Sequence, residues 1–98
     1  MNLSTDRNQS GSRIRMARHL RTPYLTQDYL SAKLQVRYGI ILTKNIISRI
    51  ENGQRYVTDL ELLAFADVLK VSVAWLLGVT NDPTPDQKGG FLAGWTGR

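Results

Sequence analysis

Apolar residues along this chain recur three and four positions apart, and no strand-like alternation runs to a useful length. Ile14, Ala17 and Leu20 share one side of a predicted first helix, from about Ser12 to Arg21. Thr22-Pro23 stops it, because the residue before a proline avoids helical geometry. Thr26 caps a second helix that runs from Gln27 to about Arg37, with Leu30 and Leu34 as an i, i+4 pair. Gly39 ends that helix in a left-handed turn, and Ile40, Ile41 and Leu42 are expected to tuck beneath the domain. Thr43 caps a third helix that Asn52-Gly53 closes. A fourth begins at Thr58, which stands at capping-box spacing from Glu61, and buries Leu62, Phe65, Ala66 and Leu69. Ser72 caps a short fifth helix, and Gly78 ends it. From Thr80 onward NDPTPDQKGG reads as linker, and the closing FLAGWTGR carries Phe91 and Trp95 without helical periodicity. The expected fold is therefore all-α: five helices over residues 11–79, with flexible tails at 1–10 and 80–98.

The third helix is the unusual one. In TKNIISRIENGQR, Thr43 to Arg55, the residues Ile46, Ile47 and Ile50 fall within an arc of about 100° on a helical wheel. Lys44, Asn45, Ser48, Arg49 and Asn52 occupy the other side. A helix that only filled a core would not need that set. Nine helical residues span about 13 Å, a length that suits the DNA major groove. Lys and Arg can donate to the guanine edge, Asn can pair with adenine, and Ser can contact either. The same residue types also make an ordinary solvated helix face, so this helix alone leaves both readings open.

Composition narrows the choice. Ninety-eight residues make at most one domain. The formal net charge of +5 is unevenly placed. Residues 1–57 hold ten Lys/Arg against three Asp/Glu, whereas residues 58–98 hold three against five. A basic front half suits a polyanion, since phosphate contacts release counterions. The absence of cysteine excludes disulfides and thiolate zinc sites. No apolar run approaches a membrane span, and MNLSTDRNQS is too polar for a signal peptide, which fits a cytoplasmic protein. His19, the single histidine, reads as a surface helix residue rather than a metal ligand. Asp59, Glu61 and Asp67 read as cap and solubility residues of the fourth helix, not as a catalytic pair. No Gly-rich phosphate loop or Ser/His/Asp constellation can be assembled, so neither an enzyme nor a cofactor is expected.

LTQDYLSAKL, then IISRIENGQR, then VTDLELLAFADVLKVSVAWLLG, in this order and near this spacing, resemble the XRE/Cro-type helix-turn-helix family, which includes lambda-like phage repressors. The likeness covers about residues 11–79. It departs from the family in two places. The loop Arg21–Tyr24 is about two residues long for its position, and Arg37–Leu42 adds about six residues before the third helix, as in a subgroup with an extended turn.

The resemblance implies a lambda-repressor-like DNA-binding domain in which Lys44, Asn45, Ser48 and Arg49 read base edges. It places Thr26, Gln27, Thr43, Asn52, Gln54 and Arg55 against DNA phosphates, with Gln27 also bracing Lys44. Arg18 and Glu51 would form a largely buried salt bridge between the first and third helices, and Gly53 would supply the turn that stops the third. Tyr56 is a further phosphate candidate or a residue packed over its loop, and Trp75 is expected in the core or at an interface. The implied function is sequence-specific regulation of transcription, with repression expected, by a homodimer on a roughly palindromic double-stranded DNA site. The dimer contact would involve helix five, with the long turn or the tail as other options. An antitoxin that also masks a toxin partner, or an interaction module without DNA readout, are the alternatives.

Overall fold

Four of the five helices begin on a hydroxyl. In the computed structural model, which describes residues 7–85, α2 (Gln27–Tyr38), α3 (Lys44–Glu51), α4 (Asp59–Leu69) and α5 (Val73–Leu76) start after Thr26, Thr43, Thr58 and Ser72. Each of these hydroxyls accepts from a backbone N–H of the first turn, satisfying a donor the helix leaves unpaired. At α4 the capping box is complete: Glu61 N–H donates to the Thr58 hydroxyl at 3.1 Å, and the Glu61 carboxylate accepts from Thr58 N–H at 3.0 Å. The first helix, α1 (Gly11–Leu20), is capped differently. Ser10 makes no side-chain cap, and the Gly11 N–H donates instead to Asn8 Oδ1 at 2.7 Å.

The described residues form an all-helical fold without strands. α1 packs against α3, α4 and α5, and α2 bridges α3 and α4. Phe65 of α4 is fully buried and belongs to one core cluster with Ile14, Leu30, Leu34, Ile47, Ile50 and Leu76. No helix among the described residues is long and apolar enough to cross a membrane.

Several expectations about burial need correcting. Leu20 is 60% exposed, because α1 turns Arg18 inward beside Ile14 and Ala17 and leaves Leu20 on the rim of a shallow groove. In the connection from α2 to α3 only Leu42 is fully buried, and its carbonyl accepts from Ser31 Oγ at 2.6 Å. Ile41 is 63% exposed, between the partly buried Ile40 and the buried Leu42. Asp67 is no solubility residue. It is buried, paired with Arg37 at 3.1 Å, and accepts from the Tyr38 hydroxyl, so it ties the end of α2 to α4.

Residues at both edges of the domain are anchored. The Arg7 N–H donates to the Gly53 carbonyl at 2.9 Å, and Asn8 Nδ2 donates to the carbonyls of Ile50 and Arg55 at 3.0 and 2.8 Å. Residues 7–10 therefore belong to the folded unit. Beyond α5, Arg13 donates to the Thr80 carbonyl and to Asn81, and the Pro83 carbonyl accepts from Ser72 N–H at 3.2 Å. Phe91 and Trp95 lie outside the described residues.

Candidate nucleic-acid interface

α3 is held in place from its apolar side and from its C-terminal end. Ile47 and Ile50 are fully buried, and Ile46 packs against the core from its margin. At the far end Gly53 adopts φ +75, where a side chain would be strained, and closes the helix. Its N–H returns to the Ile50 carbonyl at 3.0 Å and the Gln54 N–H to the Arg49 carbonyl at 2.8 Å, the paired bonds of a Schellman motif.

Glu51, the last residue of α3, is the hub of a buried polar network. Arg18 forks onto it, with Nε to Oε2 at 2.7 Å and Nη2 to Oε1 at 2.8 Å. Its Nη1 donates to the Leu25 carbonyl at 2.9 Å, so one guanidinium joins α1, the loop before α2 and the end of α3. Gln27 Nε2 and Arg15 Nε also donate to Oε1, at 3.0 and 3.3 Å. Burial by itself raises the Glu51 carboxyl pKa. The hydrogen bonds from Arg18 and Gln27, the Arg18 charge and the bond from Arg15 outweigh it, and the pKa lies below the ordinary glutamate value.

What remains of α3 faces water. Lys44, Asn45 and Arg49 are exposed, Ser48 is partly so, and Asn52 and Gln54 continue the exposed polar surface past the helix end. Thr26 and Thr43 are exposed at the starts of α2 and α3. Each accepts from its own helix, so each hydroxyl retains a proton to donate outward.

Two of the expected phosphate ligands have partners within the domain. Gln27 turns inward to Glu51 rather than bracing Lys44, which leaves one amide hydrogen for an outside acceptor. Arg55 forks onto Glu61 at 2.9 and 3.2 Å and also donates to the Tyr56 carbonyl. It braces the loop before α4, with its side chain about a third exposed. Glu61 responds in kind: burial raises its pKa, but Arg55 and the Thr58 N–H and hydroxyl lower it further, to below the ordinary value. Tyr56 is exposed beside this pair. Trp75 is buried, with the Arg13 guanidinium 4.6 Å from its ring centre.

A family model described as helix-turn-helix matches residues 20–76, more than half of the chain, from the end of α1 through α5. The chain belongs to the XRE-type helix-turn-helix family. Neither a curated protein nor a solved structure matches it. The matched region holds α2 and α3, and the domain is a DNA-binding regulatory domain of the XRE type. In this helix-turn-helix domain the connection between α2 and α3 runs from Gly39, at φ +67, through residues 40–42 to the extended Thr43.

Sequence reasoning missed Asn8, Gly11 and Arg15. A Cβ on Gly11 would stand 2.1 Å from the Ile50 carbonyl oxygen, so only glycine lets α1 begin against the end of α3. Nothing in the local pattern signals these contacts, which join positions 36 to 47 residues apart.

Proposed function

We propose that this XRE-type regulator is a transcriptional repressor that binds double-stranded DNA sequence-specifically as a homodimer and acts by covering a promoter. The observation that carries the reading is the solvent-facing set Lys44, Asn45, Ser48 and Arg49 on a helix whose other face and C-terminal end are locked. A rigid helix with donors of this kind can enter the major groove and meet base edges in fixed register. Thr26, Thr43, Gln27 through its second amide hydrogen, Asn52 and Gln54 would hold the backbone and set that register without reading sequence. Arg55 is assigned to the loop it braces.

One such domain buries little DNA, so useful specificity calls for two copies on half-sites about one helical turn apart. Leu77 and Val79, exposed at the end of α5, offer apolar surface for the partner copy.

Selection of bound duplexes from a random pool at near-physiological salt tests the proposal. The expected result is an enriched, roughly two-fold-symmetric site, bound about a thousandfold or more above random DNA. Folded protein that enriches nothing would refute it and turn attention to a protein partner.

A further inference from the structure

Arg18 alone satisfies Glu51, since its guanidinium already meets both carboxylate oxygens. Arg15 brings a second guanidinium to the same carboxylate, and its side chain is 46% exposed against 7% for Arg18. Two arginines on one carboxylate leave one positive charge over, and that charge sits in water on Arg15. The contrast with Arg55 is direct, because Arg55 has a carboxylate of its own in Glu61.

Arg15 also orients its neighbour. Its Nη2 donates to Asn52 Oδ1 at 2.6 Å, which turns the Asn52 amide so that the NH2 group faces away, towards solvent. Asn52 follows Ser48 by one helical turn and so extends the polar face of α3 to its C-terminal end. Arg7 is exposed at the same place, where its N–H holds the Gly53 carbonyl. Asn8, Ser12, Arg15 and Asn52 line a polar depression of about 370 Å³ there.

The dimensions say what would lie against this corner. Eight residues of α3 span about 12 Å, close to the width of the major groove. With α3 in the groove, its two ends lie beside the two sugar-phosphate strands. Thr26 and Thr43 stand at one end, and Arg15, Asn52 and Arg7 at the other.

We infer that Arg15, with the Asn52 amide it orients and with Arg7, is a second backbone clamp that binds a DNA phosphate at the C-terminal end of α3. The inference rests on the DNA-reading function proposed above. It assigns the electrostatic contact on this side of the groove to α1 and the segment before it, rather than to the loop arginine.

The test is titration of the selected duplex and of a scrambled one over a range of salt, for the wild type, Arg15→Gln, Arg7→Ala and Lys70→Gln, with thermal melts alongside. Lys70→Gln removes the same charge from the exposed end of α4. Arg15→Gln and Arg7→Ala should each weaken both duplexes to the same extent and reduce the slope of log K against log salt by about 0.9. Lys70→Gln should leave the slope unchanged. Wild-type slopes in both arginine variants, on a wild type that still prefers its site, would overturn the clamp and leave the reading by α3 standing. A wild type with no preference between the duplexes would overturn both. If Arg15→Gln fails to fold, Arg7→Ala decides alone, since its side chain is exposed; an unchanged slope there overturns the clamp.

Discussion

Glu51 shows how a single carboxylate can set the pose of a helix. Its side chain is fully buried, and its position is defined by donors from α1 and from the start of α2. A buried pair of this sort adds little net stability over an apolar substitute, but removing one partner leaves the other charge stranded. Glu51→Ala should therefore cost about 3–5 kcal/mol in urea unfolding, because Arg18 would be left buried without its counter-charge. A loss below about 1 kcal/mol would mean that the network is more open to water than its geometry implies. Arg55 makes the complementary point. The expectation for this basic residue after α3 is a phosphate contact, and in the fold Glu61, six positions on, lies across the loop and pairs with it.

Helix starts were legible because capping is local chemistry: Thr26, Thr43, Thr58 and Ser72 each act within three residues of themselves. The apolar faces of α2 and α4 were legible for a similar reason, since Leu30, Leu34, Phe65 and Leu69 repeat at helical spacing. Leu20 misled because a wheel cannot know that Arg18 will be drawn inward by a carboxylate 33 positions away. The network at Glu51 was half legible: the Arg18 pairing came from family likeness, whereas Arg15 and the inward turn of Gln27 depend on how three elements meet. Asn8 and Gly11 carried no local signal at all. The close approach of α1 and α3 predicts that Gly11→Ala will destabilise the fold by about 1–3 kcal/mol, since a backbone oxygen must move. The end of α4 predicts the opposite sign. Lys70 is exposed and holds φ +61, a left-handed conformation that disfavours side chains. Lys70→Gly should raise the unfolding free energy by about 0.5–1 kcal/mol, measured in the same denaturant series.

Across the whole molecule the two buried glutamates give stability a shared pH dependence. Glu51 and Glu61 both have pKa values lowered from the ordinary 4.5. A carboxyl with a depressed folded pKa stabilises the fold above its unfolded value, and that contribution is lost as pH falls through the folded value. The melting temperature should stay level between about pH 7 and pH 5 and fall below about pH 4.5. Glu61→Gln should flatten part of that acid limb; an acid limb identical to wild type would contradict the linkage. These same carboxylates lie off the polar face of α3, whose surface carries the positive and neutral donors Lys44, Asn45, Ser48 and Arg49, with Arg15 and Arg7 at its end. The charge asymmetry along the chain thus becomes a spatial one, because the basic front half supplies α3 and the surfaces on either side of it.

The central claim is that the polar face of α3 reads base edges. It is tested most directly by titrating wild type and Arg49→Ala against the selected site and every single-base-pair variant of it. Arg49→Ala should abolish preference at one base pair in each half-site, a loss of about 1–3 kcal/mol of discrimination, while preferences elsewhere persist. If Arg49→Ala binds more weakly but keeps the full wild-type pattern of preferences, Arg49 is a backbone contact; if Lys44→Ala then behaves alike, the claim that α3 reads sequence through this face is wrong.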